Sequence, residues 1–258
     1  MTITKRNILL VTSITCLLLA IILNINKFQK KIQTFIPMYT KLDVGDINTP
    51  KLAYLTFDDG PTHVVTNALL DVLKKENVKA TFFVVGKEIE GKELILKRIY
   101  DEGHGIGLHT YSHNFKKIYR SCDEFTSEMI KTSNKIKEVT GSTSKIIRFP
   151  GGSSKRLNAS NLEVLHKNDF KIYDWNVNIC DGINPDLSVS QLIKNSQIIK
   201  GNKAEAIILM HCNFNNKNTV KALPGIIKYY HDLGYEFKVI TKDTPEYYYK
   251  FRDKKTSP

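Results

Sequence analysis

Two adjacent carboxylates, Asp58 and Asp59, follow the apolar run Leu52–Leu55 and are cut off by Gly60-Pro61. That pattern predicts a buried strand that ends abruptly with both acids at its tip. Like charges side by side are costly unless a metal or a cation gives them separate tasks. Further along the chain lie residue types that could supply both. His109 and His113 are four apart, so one helical turn would put both imidazoles on one face, as two ligands of one divalent metal with Asp59 as the third. Two histidines and one carboxylate leave a coordination position open for water and substrate. Asp58 is then free to act as a base toward the attacking water. Arg148 would hold Asp58 and keep it ionised through a bidentate pair. The turn Pro150-Gly151-Gly152 offers bare backbone, and the Gly151 N–H could donate to a tetrahedral oxyanion. His211 ends the apolar run Ala206–Met210, and a protonated imidazole there could give its proton to a leaving amine. Read singly, these are an acidic turn, structural histidines, a salt bridge, a plain turn and a strand-cap histidine. Read together, they fit metal-assisted hydrolysis of an amide or ester. His63 and His104 lie near the acidic pair and the histidine pair and could support them; His166 and His231 read as ordinary helix residues.

The elements that must position these groups alternate from Lys51 onward. Apolar strand patterns fall at 52–57, 80–85, 105–108, 145–149, 171–177, 205–210 and 235–240. Amphipathic helical patterns fall between them at 64–76, 88–102, 123–139, 158–167, 188–199 and 219–232. Short apolar strands, each followed by a helix, predict a parallel sheet with crossover helices. Periodicity does not choose between a barrel and an open sheet. In either, functional groups belong just past the C-terminal ends of the strands. Asp58 and Asp59, His109 and His113, Arg148 to Gly152, and His211 all fall there.

Residues 8–25 form an uncharged run of 18, preceded by Lys5 and Arg6. This predicts an uncleaved transmembrane anchor, with a cleaved signal peptide as the alternative. The expected organisation is a cytoplasmic tail at 1–7, the anchor at 8–25, a linker at 26–50, a catalytic domain at 51–243 and a C-terminal tail at 244–258, aromatic then charged. The basic flanks do not decide orientation; with only a short segment before the anchor, the large domain is expected outside the cell. The net charge is +12. The first 31 residues hold five Lys/Arg and no acid, leaving 33 basic and 26 acidic residues, or +7, for the rest. No basic stripe interleaved with aromatics is present, so a nucleic-acid partner is not expected. Cys16, Cys122, Cys180 and Cys212 show no paired spacing, which argues against a disulfide framework or a thiolate zinc site.

The ordered motifs TFDDG at 56–60, HTYSH at 109–113, RFPGG at 148–152 and LMH at 209–211 resemble the NodB-homology polysaccharide deacetylases, carbohydrate esterase family 4. The resemblance covers about residues 51–243. It implies an α/β fold, a deformed (β/α) barrel of about seven parallel strands open on one side, with a divalent metal, usually zinc and sometimes cobalt or manganese. It also implies Asp58 as base, Asp59, His109 and His113 as metal ligands, Arg148 as the tether of Asp58, Gly151 as oxyanion donor and His211 as acid. The fourth motif departs from the family's common form. In the stretch from Trp175 to Gly182, Asn178 stands where an Asp often tunes the acid, and Gly182 where a Trp often lines the pocket. Asp181 could take over that tuning, so Trp175, Asn178 and Asp181 are candidates for the groups around the acid. The expected substrate is an N-acetylated glycan, foremost the N-acetylglucosamine of peptidoglycan. Chitin-type oligosaccharides or another N-acetylated surface polymer are the alternatives, and an inactive glycan-binding member is the non-enzyme reading. A monomer is expected.

Overall fold

The computed structural model of the chain describes residues 23–27 and 50–251. The chain divides into two units at residue 50. In the first, residues 23–27 are helical and exposed. The predicted anchor at 8–25 lies outside the described residues except for its last three positions, as does the predicted linker for residues 28–49. Among the described residues no helix is long and apolar enough to cross a membrane.

The second unit is built on a parallel sheet of eight strands: β1 (Lys51–Asp58), β2 (Thr81–Val84), β3 (Gly105–Leu108), β4 (Ile146–Ile147), β5 (Lys171–Ile172), β6 (Val177–Asn178), β7 (Glu205–His211) and β8 (Tyr235–Phe237). The order is β5-β4-β3-β2-β1-β7-β6, with β8 against β1. β1 is the organising strand. β7 runs beside it from Leu52 to Asp58. On its other side β8 pairs with Lys51–Ala53 and β2 with Thr56–Asp58. Its side chains alternate. Ala53, Leu55 and Phe57 join the large core under the helices, whereas Tyr54 joins a second cluster with Phe83, Ile146, Tyr173, Ile207 and Ile240. Period-two geometry puts Thr56 and Asp58 on the Tyr54 face. Burial of both faces is why the strand reads as a continuous apolar run.

Helices α1 (Val65–Lys75), α2 (Glu93–Asp101), α3 (Phe115–Ile118), α4 (Cys122–Thr140), α5 (Ala159–Lys167), α6 (Val189–Ser196) and α7 (Lys217–Asp232) connect the strands. The longest, α4, begins at Ser121, whose side chain accepts the Glu124 N–H, and stops at Gly141, which turns into the left-handed region at φ 78°. A cap of this kind satisfies an N–H at the helix start, and a glycine carries left-handed φ without a Cβ penalty.

The run 171–177, expected as one strand, is two. β5 pairs with β4 and β6 with β7, at opposite ends of the strand order. The chain crosses the opening of the barrel between them because Asp174 leaves the ladder to become a buried acceptor. The crossing is backed by the segment after β8. The Asp174 N–H donates to the Tyr247 carbonyl at 2.6 Å, the Tyr249 N–H to Asp174 Oδ2 at 2.9 Å, and the Tyr249 hydroxyl to the Trp175 carbonyl at 2.8 Å. Ile172 N–H donates to Glu246 Oε1 at 2.8 Å. The last expected strand, 235–240, shortens to Tyr235–Phe237.

A chain stopped after Asp243 loses all of these bonds. At about 1 kcal/mol net for each, destabilisation on the order of 4 kcal/mol is expected, or a drop of about 10 °C in thermal midpoint. Thermal unfolding against a chain stopped after Phe251 measures this, and equal midpoints would show that the segment closes nothing.

Candidate active site

The sheet register builds the site. Asp58, the last residue of β1, stands opposite His211, the last of β7. The neighbouring strand ends follow in step: His109 N–H donates to the Val84 carbonyl and Arg148 N–H to the Leu108 carbonyl, at 2.9 and 3.0 Å. Four separate segments are thereby brought to one C-terminal edge.

Arg148 is fully buried and Asp58 is 2% exposed. Arg148 Nη1 donates to Asp58 Oδ1 at 2.9 Å and to Thr56 Oγ1 at 2.7 Å. Its Nε donates to the Tyr173 carbonyl at 2.8 Å and Nη2 to the Asp174 carbonyl at 3.2 Å. The expected bidentate pair with Asp58 is therefore a single bond, because the rest of the fork is used by the chain end leaving β5. Phe83 covers the guanidinium at 4.1 Å from its ring centroid. Burial pushes the Asp58 carboxyl above its ordinary value, and this outweighs the lowering by Arg148 and His211.

Asp59 faces elsewhere. Its φ of 74° reverses the backbone after the strand, an uncommon conformation for a non-glycine residue. Its Oδ1 lies 3.3 Å from His113 Nε2 and 3.6 Å from His109 Nε2. His109 Nδ1 contacts the Arg148 carbonyl at 3.0 Å. A carbonyl only accepts, so Nδ1 carries the proton and Nε2 keeps its lone pair toward Asp59. Burial lowers the His109 pKa to about 3, which keeps the ring neutral. Ligand atoms of Asp59, His109 and His113 all lie within 4.8 Å of one another. Two ligands at about 2.0–2.1 Å from a tetrahedral metal stand about 3.3–3.4 Å apart, close to the spacings found here. The donor set fits a divalent cation.

The two histidines do not reach this arrangement through a helical turn. Thr110 and His113 have φ of 66° and 52°, and the segment is an irregular turn. It is held by Glu128 of α4, whose Oε2 accepts the Tyr111 and Ser112 N–H groups at 3.0 and 2.6 Å. Lys117 donates to the other Glu128 oxygen at 2.7 Å. Burial alone would raise the Glu128 pKa, but the bonds from Lys117 and Ser112 overturn that and lower it. The sequence reading missed Glu128. The available signal was a carboxylate on the buried stripe of α4, between Phe125, Met129 and Thr132.

His211 Nδ1 meets Asp181 Oδ1 at 2.8 Å, and the His211 N–H donates to Asp181 Oδ2 at 2.9 Å. Asp181 is buried and also accepts from Thr219 Oγ1 at 2.7 Å. Asn178 is not the partner of His211; its Oδ1 accepts the Cys180 N–H at 2.7 Å. Burial would lower the His211 pKa. The hydrogen bond and charge of Asp181, with Asp58 and Asp59, instead raise it to about 9. A Cβ added to Gly182 would lie 2.3 Å from His211 Cε1, so the imidazole occupies the space a side chain would need.

At the RFPGG segment the Tyr119 hydroxyl donates to the Pro150 carbonyl at 2.6 Å. Gly151 and Gly152 have φ of 75° and 85°, and Gly152 N–H donates to the Phe149 carbonyl at 2.8 Å. The exposed Gly151 N–H makes no hydrogen bond with the described residues. Phe115 joins this turn to the cluster of Asp59, His109 and His113: its ring is 5.3 Å from that of His113, and its Cε1 would be 3.3 Å from a Cβ on Gly151. Trp175 backs Gly152 and lies over Arg148 at 5.7 Å.

The other candidates separate from the site. His104 is buried before β3, at the opposite end of the strand from His109, and its Nδ1 accepts the Ala80 N–H at 3.1 Å. It does not support the histidine pair. His63 is exposed, with its carbonyl accepting from Asn67. Cys122, Cys180 and Cys212 are free thiols, and Cys212 Sγ donates to the Asp58 carbonyl at 3.2 Å.

Comparison with known proteins agrees with this arrangement. Residues 46–173 match the family model described as polysaccharide deacetylase. A peptidoglycan-N-acetylglucosamine deacetylase of Bacillus cereus is 34% identical over 198 residues, covering 75% of this chain and 71% of that one. The crystal structure of the polysaccharide deacetylase Bc1974 from Bacillus cereus is similar with a TM-score of 0.69 at 33% identity, over 76% of this chain and 94% of the other. A Streptococcus mutans CE4 esterase is similar with a TM-score of 0.68 at 32% identity, over 75% and 87%.

Titration with zinc or cobalt is expected to give one tight site. His113→Ala should weaken it by about two orders of magnitude, and Glu128→Ala by about tenfold or more through the loosened turn. Asp58→Asn should keep it; equal loss in Asp58→Asn and His113→Ala would make Asp58 a ligand.

Proposed function

Because the chain belongs to the polysaccharide deacetylase family, we propose that it is a metal-dependent hydrolase that removes N-acetyl groups from the N-acetylglucosamine of peptidoglycan. The observation that carries this reading is the meeting of Asp58 and His211 on paired strand ends beside the cluster of Asp59, His109 and His113.

A divalent cation held by Asp59, His109 and His113 would polarise the acetyl carbonyl and acidify the attacking water. Zinc suits two imidazoles and a carboxylate, with cobalt or manganese as substitutes. Asp58, fixed by Arg148, takes the proton from the water. Its raised pKa makes it a stronger base than an exposed carboxylate, at the cost of needing a higher pH to ionise. The Gly151 N–H donates to the oxygen on which negative charge develops. His211, held as the imidazolium by Asp181, gives its proton to the departing nitrogen, leaving acetate and a free amine.

The choice of polymer is supported by the named activity of the Bacillus cereus relative. Chitin-type oligosaccharides or another N-acetylated surface polymer are the second choice. A silent glycan-binding role is disfavoured because every group the reaction needs is present. The uncharged run at 8–25 supports a membrane anchor, and a cell-wall substrate is the reason to put the catalytic domain outside the cell.

Acetate release from peptidoglycan and from chito-oligosaccharides, with added zinc or cobalt and with chelator, tests the reading. Chelator-sensitive release is expected; none from any N-acetylated glycan would overturn it. Asp58→Asn should lose turnover by at least about a hundredfold.

The pH profile tests the acid. The imidazolium is the active form of His211, so activity should fall as pH rises through its pKa, raised here to about 9. Asp181→Asn removes the negative charge that favours the imidazolium. The alkaline limb should then move to lower pH, toward the ordinary histidine value of about 6.5. An unmoved limb would show that another group supplies the proton.

A further inference from the structure

Beside the Pro150-Gly151 turn lies a cavity of about 310 Å³, lined among others by Tyr119, Phe149, Lys155, Arg156 and Asn161. Tyr119 belongs to both places. Its hydroxyl holds the Pro150 carbonyl, and its ring carries the Arg156 guanidinium 4.2 Å from the centroid. Aromatic surface continues from Tyr119 toward the metal ligands. Phe115 is 5.8 Å from Tyr119 and 5.3 Å from His113, and it is 45% exposed. A row of rings, exposed at Phe115 and half-buried at Tyr119, thus leads from His113 to Arg156.

The charges around this cavity are unequal. Arg120, on its rim, pairs with Glu124 at 3.0 Å. Lys117 is shared between Glu124 and Glu128. Glu163 of α5 pairs with Lys167 at 2.8 Å. Lys155 and Arg156 make no ion pair with any of the described residues, and both are exposed. Two cations without a carboxylate, one already held over an aromatic ring, offer unneutralised charge to an oxyanion.

We propose that this cavity is an anion subsite that takes a carboxylate from the sugar neighbouring the one deacetylated, with Phe115 and Tyr119 as the platform between. This rests on the deacetylase reading and sharpens its substrate class. Alternate sugars of a peptidoglycan strand carry a lactyl ether that ends in a carboxylate or begins a peptide bearing carboxylates. A chitin strand carries neither. Lys155 and Arg156 therefore act as specificity residues that favour the acidic strand.

The test compares wild type with the double variant Lys155→Gln/Arg156→Gln. Its readout is the ratio of kcat/KM on peptidoglycan strands to kcat/KM on chito-oligosaccharides of matched length. Loss of charge-assisted contacts should lower that ratio about tenfold, and high salt should lower it in wild type much more than in the variant. A ratio within about twofold of wild type overturns the subsite, on the same tenfold scale. Binding of both oligomers is measured in parallel. If wild type releases acetate from neither, the deacetylase reading falls, and the subsite is judged by binding alone: a preference for the acidic strand that the double variant loses supports it, and equal preference overturns it.

Discussion

A guanidinium buried inside the barrel is the constraint around which this domain is arranged. Taking a full charge out of water is expensive unless its donors are met by acceptors and a counter-charge. Arg148 is met on all sides: Asp58 and Thr56 on β1, the Tyr173 and Asp174 carbonyls beyond β5, and the Phe83 ring above. Those partners come from both sides of the barrel, so the group that needs them ties β1 to the end of β5 through the interior. Its main chain has a second task. The carbonyl of the same residue receives His109 Nδ1–H and so aims His109 Nε2. One position thereby fixes both the Asp58 carboxylate and the direction of the His109 Nε2 lone pair. A lysine could supply the charge but not the fork, and it would leave carbonyls unmet.

The same logic explains how two neighbouring aspartates avoid being one repulsive pair. Strand alternation turns Asp58 into the interior toward Arg148, and the left-handed backbone at Asp59 carries the next carboxylate out toward the histidines. Residues in sparsely populated backbone regions persist where the surroundings over-determine them. Thr110 and His113 share that property with Asp59, and the Glu128 carboxylate beneath them supplies the surrounding hold through two N–H groups.

The parts of the fold that the sequence made legible are those with local causes. Apolar runs bounded by glycine, proline or polar residues marked β1, β2, β3 and β7 within a residue or two, and helical periodicity marked α4 and α5 nearly as well. The clustering of Asp58, His109, Arg148 and His211 followed from parallel strands alone, because each lies at a C-terminal strand end. What stayed illegible depends on contacts far apart in the chain. The break inside 171–177 requires Tyr247 and Tyr249, more than seventy residues later, to replace the missing ladder. The choice of Asp181 over Asn178 was open from spacing. It is decided by the path of the loop after β6, which brings residue 181 to both the backbone and the ring of His211. The expected helical turn at 109–113 failed because a spacing of four is compatible with any compact turn, and Glu128 stabilises a different one.

Gly182 shows how a departure from a family pattern can be read physically. With a side chain at this position, the His211 ring could not stay where Asp181 holds it, since a Cβ would come within 2.7 Å of three ring atoms. The absent side chain and the placed imidazole are therefore one feature. Asp181 in turn is held by Thr219 and Asn216, so the ring is anchored from α7 and its approach rather than walled in by a bulky neighbour. That leaves the His211 flank bounded by an exposed loop, with Gly182 and Ile183 facing solvent. The opposite flank, by contrast, is formed by the rings of Phe115 and Tyr119. Exposed apolar side chains therefore stand on both flanks, Phe115 beside His113, and Ile183 and Phe214 in the loops next to His211.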